Sequence, residues 1–153
     1  MNAPSTGAHS IGFIAAVAEL YPLVHSALDL ETVAGHSLLY RWAGASAEKP
    51  TVLMAHYDVV AATDERWEYP PFGAELVGEG DHQAVWARGT LDDKGTLASI
   101  LEAVEASPRP GFHARSTTSI SPSPTTRRPW ETGRESIVAL LEARGVRPDA
   151  RTR

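Results

Sequence analysis

The chain of 153 residues contains no cysteine, which excludes disulfide bonds and thiolate metal ligands. Any metal ion must therefore be held by histidine and carboxylate side chains. No apolar run approaches the roughly 20 residues that a membrane-spanning helix requires. The apolar stretch Ile11–Val17 is short, has no basic leader and is soon followed by Glu19, so it predicts part of an amphipathic helix and not a signal peptide. We therefore expect a cytoplasmic protein with no membrane partner.

Lysine is scarce as well, since Lys49 and Lys94 are the only two and arginine supplies the rest of the 14 basic residues. The formal net charge of −5 argues against general nucleic-acid binding. The charge is also uneven along the chain. Pro50–Ala106 contains 11 acidic and 3 basic residues, whereas Ser107–Arg134 contains 1 acidic residue and 5 arginines. The sign change marks a boundary in the composition of the chain.

The length and an apolar content of 42% predict one domain with a real hydrophobic core. Helical spacing of apolar residues occurs in three places: Ser10–Leu28 with a break at Pro22, Lys94–Ala106, and Glu135–Arg144. Strands are predicted by β-rich runs between turn residues at Ser37–Trp42, Thr51–Ala55, Phe72–Val77 and Ala84–Ala87. Strands that alternate with helices predict an α/β fold.

The segment Ser107–Gly133 differs from the rest of the chain because it contains five prolines, ten serines or threonines and few large apolar residues. Such a composition cannot bury enough surface to offset the entropy lost on ordering. The sequence therefore divides into three parts. Residues 1–106 form the folded part, residues 107–134 are predicted to be disordered or aberrant, and residues 135–153 form a helix and a tail.

Two motifs carry the candidate chemistry, MAHYDVV around His56 and RGTLDDKGTL from Arg88 to Leu97. A neutral imidazole such as that of His56 suits zinc, and a carboxylate such as that of Asp92 binds one metal ion or bridges two. Asp58 lies two residues after His56, on the same face of the predicted strand end, where it can hydrogen-bond a ring nitrogen and fix the tautomer. The alternative is a polar pair at a strand end with no ligand.

Each neighbouring feature also has a simpler interpretation. Asp92 and Asp93 precede a predicted helix, so one or both could cap its N-terminus. Lys94 is interpreted as a structural or charge-balancing neighbour and not as a base. The WEYPPF segment is interpreted as an anchored loop. The remaining histidines have no partner motif and are expected to be surface or internally satisfied residues: His9, His25, His36, His82 and His113.

MAHYDVV, WEYPPF and WARGTLDDKG, in this order, resemble the co-catalytic zinc metallopeptidase family of carboxypeptidase S, carboxypeptidase G, aminoacylases and succinyl-diaminopimelate desuccinylase. The tyrosine of the H-Y-D motif and the residues of the T-L-D-D-K-G motif are most similar to those of the carboxypeptidase S branch. The resemblance covers about Ile11–Ala106 and resumes at Glu135–Val146. It implies the N-terminal part of an α/β catalytic domain, which is incomplete here, with a mixed sheet flanked by helices.

The resemblance implies roles for three residues. His56 would bind one zinc ion, Asp92 would bridge both zinc ions of the family's site, and Asp58 would be the active-site acid that orients His56. Cobalt is a possible replacement for zinc. The implied substrates are peptides or N-acyl amino acids with a free carboxylate, hydrolysed at an amide bond.

The chain departs from the family pattern after Ala106. Family members carry a Glu-Glu pair, whose first residue is the general base and whose second is a zinc ligand. The pair is expected within Ser116–Gly133, where Glu131 is the only acidic residue. The remaining ligands and the dimerisation domain cannot be placed on the chain either. We therefore expect a catalytically impaired fragment, with a non-catalytic remnant or weak metal-binding and interaction module as the alternative.

A local frameshift would explain this departure. Ser121–Arg128 can be encoded as TCG CCT TCG CCC ACG ACG AGG AGG, and the frame that starts two bases later encodes Ala-Phe-Ala-His-Asp-Glu-Glu. This is a strand followed by the Glu-Glu pair at the position where the family carries it. The arginine-rich composition indicates a GC-rich gene, in which these codons are ordinary. The hypothesis places the return to the normal frame before Ser136.

Overall fold

The computed structural model describes residues 6–62, 66–107, 114, 116–123 and 133–148. Its helices are α1 (Thr6–Leu20), α2 (Pro22–Ala27), α3 (Thr96–Glu105) and α4 (Gly133–Ala143). Its strands are β1 (Asp29–Val33), β2 (Ser37–Trp42), β3 (Ser46–His56), β4 (Glu75–Val77), β5 (Ala84–Trp86) and β6 (Ser116–Ser123). No described helix is long and apolar enough to cross a membrane.

Four of the strands form one mixed sheet in the order β1-β2-β6-β3. Strand β6 runs antiparallel to β2 and parallel to β3, so it separates two strands that follow each other in sequence. Strands β4 and β5 form a separate antiparallel hairpin. The predicted α/β fold with a mixed sheet flanked by helices is confirmed.

The alternation of side chains along β2 places a hydrophobic cluster on each face of the sheet. On one face, Leu38 and Tyr40 pack with residues of α1, α2 and α3. On the other face, Leu39 packs with Ile137 and Leu141 of α4. The sheet is therefore a middle layer that helices cover on both sides.

The prediction of disorder over Ser107–Gly133 is wrong for residues 116–123, which form β6. Backbone hydrogen bonds to β2 and β3 hold this strand despite its polar composition. Its one large apolar side chain, Ile120, is 1% exposed and joins the main core. Burial of such a side chain contributes about 1.5–3 kcal/mol. The proposed boundaries after residues 106 and 134 stay a prediction.

Helix α3 is attached to α2 by the carboxylate of Glu105. This carboxylate accepts hydrogen bonds from the main-chain N–H groups of Leu23 (2.9 Å) and Val24 (2.8 Å), in the first turn of α2. Those N–H groups have no partner within the helix, so Glu105 satisfies donors that would otherwise need water. The contact fixes the orientation of α3, whose N-terminal end follows the Asp92–Asp93 loop.

Candidate metal centre

His56 is the last residue of β3, and its imidazole lies between two aspartates. Its Nδ1 atom lies 3.1 Å from the main-chain oxygen of Asp58 and 3.1 Å from Oδ1 of the same residue. Its Nε2 atom lies 3.1 Å from Oδ1 of Asp92. The side chains of His56 and Asp58 are each 23% exposed, whereas that of Asp92 is 90% exposed. The site thus opens to solvent on the Asp92 side.

A sharply bent loop, Thr90–Gly95, presents Asp92 to His56. Its backbone departs from helical geometry at Asp92 (φ −119°, ψ 92°) and at Asp93 (φ −137°, ψ 18°). The peptide bond between these two residues is cis. The bend turns the two carboxylates to different partners, because Oδ2 of Asp93 accepts a hydrogen bond from the main-chain N–H of His56 at 3.3 Å.

Gly89 makes this loop possible. It has a φ of 83°, a conformation that glycine adopts without strain. A Cβ atom at this position would lie 2.2 Å from Cγ1 of Val59 and 3.0 Å from Nζ of Lys94. The main-chain N–H of Lys94 also donates to the Gly89 carbonyl at 3.1 Å. The loop can therefore pack directly against the segment that follows His56.

The hydrogen bonds of His56 bear on whether a cation fits the site. Nδ1 faces two oxygen atoms of Asp58 and Nε2 faces the Asp92 carboxylate at 3.1 Å, so both ring nitrogens face hydrogen-bond acceptors. A neutral imidazole has only one N–H donor. A second ring proton or a metal ion is therefore required to make both contacts attractive. A zinc ion bound at about 2.0–2.2 Å to Nε2 and to Oδ1 of Asp92 would place these two atoms roughly 3.3 Å apart, so the observed separation fits a shared metal ion.

His56 and Asp92 supply two ligands, and a zinc ion usually has four. Among the residues that the structure describes, no group of three or more His, Cys, Asp or Glu side chains is arranged to hold a metal ion. Glu131 and most of the segment expected to hold the Glu-Glu pair lie outside the described residues. The described part of the chain therefore contains a ligand pair and not a complete site.

The interpretation of Asp92 and Asp93 as helix caps is wrong. Helix α3 begins at Thr96, its N-cap residue is Gly95, and no side chain makes a capping hydrogen bond there. The loop that precedes α3 moves the two aspartates away from the position at which a side chain reaches the first N–H groups of a helix. Both carboxylates contact His56 instead.

Lys94 lies half-buried beside the loop. Burial lowers the pKa of its ammonium group, and the nearby Asp58 carboxylate acts in the opposite direction. The ammonium nitrogen lies 3.0 Å from the position that a Cβ on Gly89 would occupy. The interpretation of Lys94 as a structural or charge-balancing neighbour stays a prediction.

The WEYPPF segment is an anchored loop, as the sequence predicts. The guanidinium carbon of Arg88 lies 4.6 Å from the centre of the Trp67 ring. The main-chain N–H of Arg88 donates to the Pro71 carbonyl at 2.7 Å. Tyr69 packs edge-on against Trp86, with ring centres 5.7 Å apart. These contacts tie the loop to the residues that lead into the Asp92 turn.

His25 is internally satisfied, as expected. Its Nδ1 atom lies 2.9 Å from the main-chain oxygen of Tyr21, and its Nε2 atom lies 2.9 Å from the Tyr40 hydroxyl. His82 is in an exposed 3₁₀ turn, Gly80–His82. The prediction for His113 falls outside the described residues.

Sequence reasoning missed the hydrogen bond from the His56 main chain to Asp93. An aspartate pair before a helix often acts as a cap, and the motif assigned only Asp92 of the pair to the site of His56. The available signal was the pair of flanking glycines. A Cβ on Gly95 would lie 2.7 Å from the Thr90 carbonyl oxygen, and such close approaches at both ends indicate a tight loop.

The family model described as peptidase family M20/M25/M40 matches residues 52–120 of the chain. Carboxypeptidase S of Saccharomyces cerevisiae is 35% identical over 128 residues, which are 81% of this chain and 22% of that protein. Probable carboxypeptidase S-like 2 of Dictyostelium discoideum is 40% identical over 94 residues, or 60% of this chain and 17% of that protein. N-fatty-acyl-amino acid synthase/hydrolase PM20D1 of Mus musculus is 37% identical over 134 residues, which are 85% of this chain and 26% of that protein.

Among solved structures, the fold resembles that of the M20 family metallo-carboxypeptidase Sso-CP2 from Sulfolobus solfataricus, with a TM-score of 0.58 and 22% identity. That similarity covers 95% of this chain and 33% of the other. The chain spans between 17% and 26% of the length of the three relatives named above. It is therefore similar to one part of each of these proteins.

Proposed function

Because the chain belongs to peptidase family M20/M25/M40, we propose that it carries part of the catalytic domain of a metal-dependent amide hydrolase. The proposed substrates are peptides and N-acyl amino acids, in keeping with the names of the carboxypeptidase S and N-fatty-acyl-amino acid relatives. The proposed metal is zinc, with cobalt as a functional replacement. We also propose a cytoplasmic location.

The observation that carries this proposal is the 3.1 Å separation of His56 Nε2 and Asp92 Oδ1, while His56 Nδ1 lies 3.1 Å from Oδ1 of Asp58. In the proposed site His56 and Asp92 are ligands of a shared ion. Asp58 holds the His56 ring in the tautomer that leaves Nε2 free to bind. Zinc, when bound, lowers the pKa of its water ligand to about 7 and polarises the scissile carbonyl.

We expect turnover by this chain to be much lower than that of a complete family member. A general base must lie within hydrogen-bond reach of the attacking water, and Ser116–Gly133 contains only Glu131 as an acidic residue. Metal affinity should be reduced as well, since the described residues supply two ligands. The proposed activity of the chain is therefore residual.

We further propose that the segment around Ser121–Arg128 is translated out of frame. Three observations support this. The family match ends at residue 120, where the shifted reading begins. Pro122 occupies a strand position opposite Ala55, where it cannot donate a hydrogen bond. Ser123 lies opposite His56 in the parallel β3–β6 pair, so a Glu-Glu pair a few residues later would enter from the same edge of the sheet.

A non-catalytic interaction module is the second candidate. The β4–β5 hairpin and the turn beside it expose large apolar side chains, of which Phe72 is 67% exposed, Leu76 62% and Val85 48%. Exposed apolar surface of this kind often marks a contact with another protein. The same residues would then serve association, with weak metal binding as a remnant property.

A calorimetric zinc titration of the whole chain, run beside a hydrolysis assay on N-acyl amino acids, distinguishes the two candidates. We expect binding that His56→Ala and Asp92→Asn each weaken about 10-fold or more. His82→Ala, in the exposed 3₁₀ turn, is the matched control and should bind as the wild type does. Zinc binding that is equal in wild type and His56→Ala would contradict the metal-centre proposal.

The nucleotide sequence of the gene tests the frame proposal directly. We expect that the frame starting two bases into the Ser121 codon encodes Asp-Glu-Glu. A codon choice that yields no Glu-Glu in either alternative frame would exclude it. Expression of the corrected chain then gives a second measurement, since restored carboxylates beside His56 should raise zinc affinity by at least an order of magnitude.

A further inference from the structure

A groove, called here the α4 groove, lies across the sheet beside the C-terminal end of α4. Residues of β1, β2, β3 and β6 line it, together with Leu141 of the helix and Val146 after it. Its volume is about 700 Å³, within the range of about 300–1,000 Å³ that small-molecule sites have. Pro50 of β3 lines it and lies six residues before His56, so about 20 Å of extended strand separates the groove from the candidate metal centre.

The apolar side chains of the α4 groove are all aliphatic: Leu30, Leu39, Ala47, Pro50, Leu141 and Val146. Leu39 and Leu141 are 4% and 8% exposed, and Val146 packs against the cluster that they form on this face of the sheet. These three side chains give the groove a fixed apolar base. A ligand with an aliphatic body would cover this base and gain free energy from the surface that it removes from water.

The charged side chains of the α4 groove are mostly cationic: Arg41, Lys49, Arg144 and Arg147, against Asp29 and Glu31. Four positive and two negative charges give the lining a net charge of +2, in a chain whose net charge is −5. Both carboxylates already have an arginine partner. Asp29 Oδ2 lies 3.1 Å from Arg41 Nη1, and Glu31 accepts hydrogen bonds of 2.8 and 3.1 Å from Arg144. The lining therefore favours an anionic ligand.

We propose that the α4 groove binds an organic carboxylate with an aliphatic body. Three of its four cationic side chains are arginines, and a planar guanidinium group matches the geometry of a carboxylate. An inorganic anion would leave the apolar base uncovered, and a neutral hydrocarbon would have no group to offer the cations. The inference concerns a second site and does not depend on the proposed metal centre.

Titration of the whole, metal-free chain with hexanoate, followed by ¹H–¹⁵N NMR spectra, tests the proposal. We expect the main-chain signals of Leu39 and Val146 to shift and that of His56 to stay unchanged. In the series acetate, butanoate, hexanoate, each added CH₂ group should strengthen binding about 2- to 4-fold. 1-Hexanol has the same chain without the charge and should bind about 10-fold more weakly than hexanoate.

Three variants locate the site. Lys49→Gln/Arg147→Gln brings the net charge of the lining to zero and should weaken hexanoate binding about 10-fold. Arg134→Gln is the matched control, since it removes a positive charge from the opposite end of α4, outside the groove. Glu31→Gln should strengthen binding about 3-fold, because it removes a negative charge from the lining. Circular dichroism and thermal unfolding establish that each variant is folded.

Four results would overturn the proposal. Equal affinities for hexanoate and 1-hexanol would show that the cations have no role, and equal affinities for acetate and hexanoate would show that the apolar base has none. Equal binding by Lys49→Gln/Arg147→Gln and Arg134→Gln would place the carboxylate outside the groove, as would shifts confined to His56 and its neighbours. The outcome of the zinc titration does not enter these measurements, so a failure of the proposed function is separable from a failure here.

Discussion

The carboxylate of Asp93 accepts a hydrogen bond from the main-chain N–H of His56, at 3.3 Å. We predict that Asp93→Ala lowers the free energy of unfolding by about 1 kcal/mol, because a partly buried donor loses its acceptor. Asp93→Asn should be close to wild type, since the amide oxygen can accept the same bond. Urea unfolding measures both. Equal losses in the two variants would indicate that the charge of Asp93, and not its acceptor, stabilises this contact.

We predict that Gly89→Ala is more destabilising than Gly35→Ala. Both glycines have positive φ values, 83° and 78°, so both alanines carry a backbone cost of about 1–2 kcal/mol. Only the Gly89 position is crowded, by Val59 at 2.2 Å, whereas nothing lies within 4 Å of a Cβ at Gly35. The overlap should add about 1–3 kcal/mol. Chemical unfolding measures the difference, and equal losses would contradict the close packing beneath the loop.

We predict that Glu105→Ala lowers the free energy of unfolding by about 1 kcal/mol, since it removes the acceptor of the Leu23 and Val24 N–H groups. Glu142→Ala is the control, on the exposed side of α4, and should stay within about 0.5 kcal/mol of wild type. Thermal or urea unfolding measures both. A Glu105→Ala value within the range of the control would mean that water replaces this cap without loss.

We predict a small acid-dependent loss of stability from the pair Glu31–Arg144, which joins β1 to the end of α4 through two hydrogen bonds of 2.8 and 3.1 Å. The Arg144 guanidinium lowers the pKa of the Glu31 carboxyl from its ordinary value of 4.5. The pair therefore stabilises the fold at pH values above 4.5, and this contribution is lost as the pH falls through the lowered folded-state pKa.

Glu31→Gln is the control for this prediction. The stability difference between wild type and Glu31→Gln should be present at pH 7 and should shrink below pH 4.5. Added salt should also reduce it, because both side chains are exposed. A difference that is constant between pH 7 and pH 3 would show that the carboxylate charge has no role.

The sequence predicts most of the fold because apolar periodicity is present on both sides of the segment Ser107–Gly133. Ser37–Trp42 is recovered without a change of boundary, and the break at Pro22 separates α1 from α2. Strand β6 could not be predicted in this way. It is held by backbone hydrogen bonds to β2 and β3, and the β-propensity of its side chains does not reflect this tertiary contribution.

The candidate site is predicted in part for a related reason. His56 and Asp92 are recognisable by residue type and motif, and the structure brings them within 3.1 Å of each other. The role of Asp93 depends on the bend of the loop after Gly89, which directs its carboxylate to the main-chain N–H of His56. Spacing along the chain does not encode such directions, so a helix cap stayed open as the simpler interpretation of the aspartate pair.

The central position of β6 has a consequence during protein synthesis. When residues 1–105 have been synthesised, the residues of β2 and β3 are present, but β6, which lies between these two strands in the sheet, has not yet been made. Each of these two strands then has an unpaired edge to which a strand of another chain can bind. The sheet forms only when β6 pairs with β3, and their paired residues are more than 60 positions apart in the sequence. We expect the nascent chain to aggregate readily at this stage, and cells that produce it to depend on a chaperone until Ser123 has emerged.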